Sequence, residues 1–247
     1  MESVTALMGL DARLRLAKLY LITDARTKQG DLADFLRAAF AGGVDIVQIR
    51  EKGMPREAAL EVLELARTTA MLHQNIVCVN DSAALAGEFH ADMLHLGQAD
   101  GPSAPARAQL HRWALLGRST HSSAEVDAAL ADKDVDYLTV GPVYATSVNP
   151  EYPPVGLEPV RHAARVAPVA TITSKPFFAI GGIGRDNLDA VIAAGARRVA
   201  VAGAITKASD PQHAAAQLRR RLQEAWDAEP GMERYVMEAL AGGGSTR

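Results

Sequence analysis

The chain of 247 residues has a single cysteine, no excess of basic residues and no long apolar run. Cys78 cannot form a disulfide within the chain, and its place in an apolar segment predicts an inert thiol in the core. A formal charge of −3 argues against a general role in binding nucleic acid or a membrane surface. Because no apolar run approaches membrane-spanning length and the start lacks a basic segment followed by an apolar one, we expect a cytoplasmic protein.

Short β-rich segments alternate with helical segments along most of the chain. The predicted strands are 19–23, 46–50, 76–80, 93–97, 115–119, 137–143, 177–181 and 198–202. The predicted helices are 32–41, 56–72, 83–88, 104–110, 124–131, 157–166, 186–194 and 211–226. Eight strand–helix pairs predict an α/β fold, a single (β/α)8 TIM barrel. An open doubly wound sheet is the alternative, but no strand is followed by the glycine fingerprint of dinucleotide-binding folds.

No linker divides the chain, so the barrel is predicted to occupy residues 18–228 as one domain. Residues 1–17 are predicted to form an N-terminal extension with a short helix before the first strand. Residues 229–247 are predicted to form a C-terminal tail. The run from Gly242 to Thr246 is rich in glycine, which makes the end of this tail flexible by composition.

Two cations stand at the end of the second predicted strand. Arg50 and Lys52 are two residues apart, so on a strand they would project to the same side. Arginine offers a planar fork to phosphate oxygens and lysine a compact charge, so together they could hold one anion. A solvated strand end is the alternative interpretation.

Acidic residues follow the next two predicted strands. Asp81 comes directly after the third strand, and Asp100 follows the fourth. Because the carboxyl ends of barrel strands meet at one rim, both should lie near Arg50 and Lys52. These four residues could form a cluster of salt bridges. Alternatively, the carboxylates could bind Mg²⁺, with substrate phosphates completing its coordination shell.

Glycines end the seventh and eighth predicted strands. Gly182 follows the seventh strand, and Gly203 follows the eighth. In phosphate-binding barrels, the loops after these two strands hold a phosphate with backbone N–H groups. Glycine allows the backbone to come close to such a ligand. The sequence therefore predicts a second anion site at this rim.

Taken together and in this order, these motifs resemble the thiamine phosphate synthase family. The resemblance covers residues 18–222, nearly all of the predicted barrel. The segments that carry it are the opening strand Leu19 to Asp24, Gln-x-Arg-Glu-Lys at Gln48 to Lys52, Asn80-Asp81, His-x-Gly-Gln-x-Asp at His95 to Asp100, Gly117 to Ser119, Gly-Pro-x-Tyr-x-Thr at Gly141 to Thr146, and Ile180 to Ile183.

The resemblance implies an enzyme that joins hydroxymethylpyrimidine diphosphate to hydroxyethylthiazole phosphate and releases pyrophosphate. It implies Mg²⁺ as the cofactor, with Asp81 and Asp100 as ligands. The residues implied on the pyrimidine diphosphate side are Gln48, Ile49, Arg50, Glu51, Lys52, Asn80 and Ser119. Those implied to hold the thiazole phosphate are Thr146, Gly182, Ala202 and Gly203. Of these, the implied catalytic residues are Arg50, Lys52 and Ser119.

The implied reaction requires no protein nucleophile. Pyrophosphate can leave first where cations stabilise its charge, and the thiazole nitrogen can then attack the methylene cation that remains. The protein would contribute positioning and electrostatics. The expected partners are small-molecule substrates, with neither nucleic acid nor membrane, and a homodimer is a possible assembly.

One segment departs from the family pattern. The family usually continues Thr-x-Thr-Lys-Pro, whereas this chain has Val148 and Asn149 in place of the second threonine and the lysine. Val148 lacks the hydroxyl, and Asn149 lacks the charge expected at the diphosphate. Arg118 is the residue that could compensate.

Two other functions remain open at this point. A thiazole tautomerase similar to this family would share the barrel and the thiazole phosphate site, with His121 as a candidate acid or base. It needs neither the carboxylate pair nor the two cations, which favours the synthase. A non-catalytic phosphate-binding barrel is the other alternative.

Overall fold

A computed structural model describes residues 8–146 and 152–242 and shows a closed barrel of parallel strands. The strands are β1 (Leu19–Thr23), β2 (Ile46–Ile49), β3 (Ile76–Asn80), β4 (Met93–Leu96), β5 (Leu115–Thr120), β6 (Tyr137–Val140), β7 (Phe177–Ile180) and β8 (Val199–Val201). Each strand pairs with the next in chain order, and β8 pairs with β1. The predicted (β/α)8 barrel is confirmed.

Helices follow the strands and surround the barrel. They are α1 (Leu10–Leu16), α2 (Leu32–Ala41), α3 (Arg56–Met71), α4 (Ala83–Phe89), α5 (Ser103–Arg107), α6 (Ser123–Ala131), α7 (Glu158–Val166), α8 (Leu188–Ala193), α9 (Gly203–Thr206), α10 (Pro211–Asp227) and α11 (Met232–Leu240). Within the described part of the chain, none of these helices has the length and apolar character needed to cross a membrane.

The alternation of side chains along each strand divides the core into two layers. On β1, Leu19 and Leu21 belong to the large cluster between strands and helices, whereas Tyr20 and Ile22 belong to the cluster inside the barrel. Both faces of a parallel strand are therefore buried, which explains why the strands read as continuous apolar runs. The interior is filled by side chains, so the barrel is a packed core rather than a pore.

Several strands end earlier than predicted. The second strand ends at Ile49, so Arg50 and Lys52 lie in the following loop, and the expectation that a strand projects both to the same side is wrong. The backbone N–H of Arg50 still donates to the Thr23 carbonyl at 2.8 Å, which keeps Arg50 next to β1. The sixth strand ends at Val140 because Pro142, two residues on, has no N–H to donate to a ladder.

Two helices outside the strand–helix alternation pack together at one end of the barrel. α1 contacts α11, a helix that the sequence pattern did not include. Trp226, Met232 and Tyr235 form a small buried cluster beneath them. The division at residues 17 and 228 stays a prediction, as does the homodimer, and residues 243–246 of the glycine-rich end lie outside the described residues.

Lys18 lies at this same end of the barrel, in a site that disfavours its charge. Its side chain is buried, with the ammonium 4.2 Å from the centroid of the Trp226 ring. Burial, reinforced by the charge of Arg219, lowers the pKa of Lys18 to about 8. Asp45 opposes this shift, and its Oδ2 accepts the backbone N–H of Lys18 at 2.7 Å.

Replacing Lys18 should change how stability depends on pH. The folded state lowers this pKa, so it binds the proton more weakly than the unfolded state, and the charged lysine opposes folding most strongly at neutral pH. Between about pH 7 and 9.5 the free energy of unfolding of the wild type should rise by on the order of 1–2 kcal/mol relative to Lys18→Met. Urea denaturation across this range measures the difference. Lys133→Met, at an exposed position, is the control, and parallel curves for Lys18→Met and wild type would contradict the assignment.

Candidate active site

Two cavities open where the strands end. The first cavity, of about 570 Å³, lies between the loops after β2 and β3 and is lined in part by Lys52, Asn80 and Asp81. The second cavity, of about 450 Å³, lies over the ends of β5 to β8. The predicted site residues that line this second cavity are Ser119, Thr146, Gly182, Ala202 and Gly203. The predicted residues therefore fall into two groups at one rim.

The structure brings Asp81, Asp100 and Arg50 together. The carboxyl groups of Asp81 and Asp100 are close enough to share a hydrogen bond. Burial raises the pKa of Asp81 to about 6, the neighbouring Asp100 adds to this rise, and the charge of Arg50 opposes it. Oδ2 of Asp100 also accepts the backbone N–H of Gly97 at 2.6 Å, which fixes the loop after β4.

Asp81 is held in an unusual backbone conformation. Its φ is +62°, in the left-handed region that aspartate and asparagine tolerate better than most residues. The backbone N–H of Asp81 donates to the His95 carbonyl at 2.8 Å, and Ser82 caps α4 by accepting the N–H of Leu85 at 3.2 Å. Strained conformations of this kind concentrate at functional sites. Here the strain turns the carboxylate towards the rim directly after the strand.

The carboxylate pair fits one kind of metal and not others. Within residues 8–146 and 152–242, no three His, Cys, Asp or Glu side chains form a group that could hold a metal ion. A zinc site would need three or four such ligands. Mg²⁺ typically uses one or two carboxylates and leaves the rest of its shell to water and substrate phosphates. Two carboxylates that repel each other would gain from such a cation, so Asp81 and Asp100 fit Mg²⁺.

The side chains of the segment 48–52 have different surroundings. Lys52 is exposed and lines the first cavity, whereas Arg50 is half-buried beside Asp81. Ile49 packs in the core, and Oε2 of Glu51 accepts the backbone N–H of Ala25 at 3.1 Å. Ile49 and Glu51 also line the first cavity, beside Lys52.

Ser119 lies on β5 next to a buried histidine. His95 Nε2 is 2.9 Å from Ser119 Oγ, and burial lowers the pKa of His95 to about 4, so its ring is neutral. The structure places His95 in the core. Cys78 is buried as predicted, and burial raises the pKa of its thiol to about 11, so it is inert.

The glycines after β7 and β8 are needed for different reasons. Gly182 has a φ of +60°, and a Cβ there would lie 2.5 Å from the Ala145 carbonyl oxygen. A Cβ on Gly203 would meet Lys207 Cδ at 3.6 Å, an ordinary contact. A glycine at position 182 is therefore needed for the packing of two loops, and not only to let a ligand come close to the backbone. Of these two glycines, Gly203 is the one where a Cβ could be accommodated without a clash.

Side chains that the sequence did not assign to a ligand also line the second cavity. Tyr152 stacks on His121 with 4.8 Å between ring centroids, and His121 Nδ1 lies 2.5 Å from the Gly141 carbonyl oxygen. Lys207 lines the same cavity. Tyr152 follows the Gly-Pro-x-Tyr-x-Thr motif closely in sequence but belongs to none of the motifs, so none of them identified it. A pattern of strands and loops does not reveal which loops fold over the mouth.

The segment that departs from the family pattern is only partly visible. Val148 and Asn149 lie outside the described residues. Arg118, the residue considered as a substitute cation, donates from Nη1 to the Gly101 carbonyl at 2.6 Å. Its guanidinium therefore reaches the loop after β4, where Asp100 also lies.

Comparisons with known proteins identify the family. The family model described as thiamine monophosphate synthase matches residues 19–205. The chain is 50% identical over 216 residues to a thiamine-phosphate synthase of Thermobifida fusca, covering 87% of this chain and 97% of that protein. It is 49% identical over 213 residues to a thiamine-phosphate synthase of Streptomyces avermitilis, covering 86% and 97%.

A solved structure supports the same relationship. The thiamine phosphate pyrophosphorylase from Pyrococcus furiosus superposes with a TM-score of 0.73 at 30% identity, covering 86% of this chain and 98% of that one. The family model thus covers all eight strands, so the similarity does not depend on one motif. The chain belongs to the thiamine monophosphate synthase family of enzymes.

Proposed function

We propose that this enzyme condenses hydroxymethylpyrimidine diphosphate with hydroxyethylthiazole phosphate to give thiamine phosphate and pyrophosphate. The observation that carries the proposal is the pairing of Asp81 and Asp100 beside Arg50, at a rim that also bears glycine loops after β7 and β8. A site for two anions, one of them with a divalent cation, is what this pair of substrates needs. The names of the relatives point the same way.

The diphosphate would bind on the side of β2 to β5 and reach Ser119 at the β5 edge of the second cavity. Arg50 and Lys52 would contribute charge, and Asn80 and Ser119 would contribute polar groups of fixed position. Asp81 and Asp100 would hold Mg²⁺, which when bound would neutralise charge on the diphosphate. Cations held in place before the reaction stabilise the departing pyrophosphate without having to move. Electrostatic catalysis is strongest when the charged groups need no such rearrangement.

The thiazole phosphate would bind over β6 to β8. A cavity of about 450 Å³ has the size expected of a small-molecule site. Backbone groups of Gly182, Ala202 and Gly203 would contact the phosphate, and the Thr146 hydroxyl would add a polar contact from the loop after β6. Asn187 stabilises the loop after β7. Its Oδ1 accepts the Gly184 N–H and its Nδ2 donates to the Gly182 carbonyl, both at 2.9 Å.

The chemistry would need no covalent intermediate with the protein. Cys78 is buried and its thiol pKa is raised to about 11, so it does not offer a thiolate. Apolar residues Ile22, Ile180 and Ala200 line the second cavity and would exclude water from the methylene cation. The barrel would hold the thiazole nitrogen near that carbon, and positioning of this kind replaces a bimolecular encounter.

A thiazole tautomerase is the second candidate, and His121 is the observation that favours it. Its Nδ1 faces the Gly141 carbonyl oxygen, so Nδ1 carries the hydrogen and Nε2 is left as an acceptor in the second cavity. A base in that place could move a proton on a bound thiazole. The tautomerase would have no use for Asp81 and Asp100, which is why the synthase is preferred.

A coupled assay of pyrophosphate release separates these functions. With both substrates and Mg²⁺, the synthase should form thiamine phosphate and pyrophosphate in equal amounts, and a chelator should stop both. A tautomerase would convert the thiazole phosphate alone, without the pyrimidine substrate and without Mg²⁺. No turnover under either condition would leave a non-catalytic phosphate-binding barrel.

Removing either carboxylate should abolish most of the Mg²⁺-dependent rate. We expect Asp81→Asn and Asp100→Asn each to lower kcat/KM by roughly 100-fold or more, equivalent to about 3 kcal/mol. Asparagine is the proper substitute at position 81, since it tolerates the left-handed backbone that alanine would strain. Titrating Mg²⁺ in the coupled assay measures the effect, with the exposed Asp34→Asn as control. Wild-type rate and Mg²⁺ dependence in either variant would remove that residue from the metal site.

The two glycines should respond differently to alanine. Gly203→Ala should raise the KM for thiazole phosphate by roughly tenfold, about 1.4 kcal/mol, while leaving the melting temperature unchanged. Gly182→Ala should lower the free energy of unfolding by about 2 kcal/mol or more, because of its positive φ and the nearby Ala145 carbonyl. Thermal denaturation and substrate titration together measure both. If Gly203→Ala bound the thiazole phosphate normally, the phosphate site would lie elsewhere.

A further inference from the structure

A continuous set of polar side chains runs through the interior of the barrel. Most of the interior layer is apolar, and burying polar groups there is unfavourable unless each is hydrogen-bonded. The exceptions form one connected group, in which every member contacts another. Its members are Tyr20, Gln48, Cys78, His95, Ser119, Tyr137 and Thr139.

The contacts follow a path from one proposed substrate residue to another. Gln48 Nε2 donates to the Tyr20 hydroxyl at 3.1 Å, and the hydroxyl oxygens of Tyr20 and Tyr137 are 3.5 Å apart. The Tyr137 hydroxyl lies 2.9 Å from His95 Nδ1. His95 Nε2 then lies 2.9 Å from Ser119 Oγ. The path begins on β2 and ends at the wall of the second cavity.

The hydrogen bonds along this path can all run in one direction, from Gln48 towards Ser119. The amide nitrogen of Gln48 can only donate, so the Tyr20 oxygen accepts from it and the Tyr20 hydrogen remains available to Tyr137, 3.5 Å away. With that contact accepted, the Tyr137 hydroxyl can donate its own hydrogen to His95 Nδ1, its nearer partner at 2.9 Å. Each ring nitrogen of the buried His95 lies 2.9 Å from a hydroxyl oxygen, an arrangement that suits a neutral ring with one hydrogen; with Tyr137 donating to Nδ1, that hydrogen is on Nε2.

This direction decides what Ser119 can offer to a ligand. Its Oγ accepts from His95 Nε2 and also faces Thr139 Oγ1 at 3.4 Å. With these contacts made on the inner side, the hydroxyl hydrogen of Ser119 is left to point into the second cavity. Resting on the proposed function, we propose that Tyr20, Tyr137 and His95 position Ser119 as a hydrogen-bond donor to the anionic diphosphate, by fixing the Nε2–H tautomer of His95.

The opposite tautomer would reverse the contact. With the hydrogen on Nδ1, His95 Nε2 would accept the hydroxyl hydrogen of Ser119, and only oxygen lone pairs would face the anion. Diphosphate oxygens are acceptors, so this contact would become repulsive. Tyr137 and His95 are therefore positioning residues, and their effect should pass entirely through Ser119.

A set of three variants tests this coupling. Tyr137→Phe, which removes the donor to His95 Nδ1, should lower kcat/KM for the diphosphate by roughly 10- to 100-fold and leave the KM for thiazole phosphate unchanged. Ser119→Ala should give a loss of similar size. The double variant should lose no more than Ser119→Ala, since both changes remove one contact. Additive losses would overturn the proposal.

Two further comparisons distinguish this positioning role from a general loss of structure: a matched control variant and a conservative replacement of His95. Tyr235→Phe removes another buried tyrosine hydroxyl, 2.9 Å from Arg198 Nη2 at the opposite end of the barrel, and should leave the kinetics unchanged. His95→Gln keeps an amide donor for Ser119 and should retain more activity than His95→Met. Equal losses in these two histidine variants would count against the tautomer argument.

The tautomer itself can be read without any turnover. In ¹⁵N-labelled wild-type enzyme free of substrate, the His95 signals, identified by their loss in His95→Gln, should show Nε2 bonded to hydrogen and Nδ1 bare. In Tyr137→Phe the population of this tautomer should fall. A hydrogen on Nδ1 in the wild type would overturn the inference. Absence of turnover in the wild type would instead refute the proposed function and leave the tautomer assignment standing.

Discussion

The pairing of the last strand with the first is the interaction on which this molecule depends. β8 runs parallel to β1, with Leu19 opposite Val199 and Leu21 opposite Val201, and this ladder closes the ring. Closure brings the loops after β2 to β5 opposite those after β7 and β8, although they are far apart in sequence. A carboxylate pair and a glycine-lined cavity thereby share one rim. An open sheet made of the same strands would leave them on separate edges.

The sequence predicted the fold and most of the rim, because both depend on local patterns. The second helix was predicted at its observed bounds, Leu32–Ala41, since its apolar face repeats with helical period. Asp81 and Asp100 could be placed together because strand ends in a barrel must meet. α11 was missed because it follows no strand, so alternation gives no signal for it.

What the sequence could not supply are contacts between strands. Position 182 must be glycine because the carbonyl of Ala145, on a different loop, leaves no room for a Cβ. The environment of His95 depends on Tyr137, two strands away. Such contacts are set by the stagger of the barrel, which no single segment encodes. The placing of Arg50 and Lys52 on a strand was wrong for a smaller reason, because β2 ends one residue earlier than its alternating pattern suggests.

Asp81 also has a consequence for the energetics of the empty enzyme. Because the fold raises the pKa of this carboxyl to about 6, stability is greatest at lower pH and falls as pH rises through that value. At neutral pH the resting active site thus opposes folding, as Lys18 does at the other end of the barrel. A cation held by the carboxylates would reverse this at the rim, so ligand and fold would stabilise each other. The free energy that offsets the cost of these two sites must come from the packing of the strands and helices.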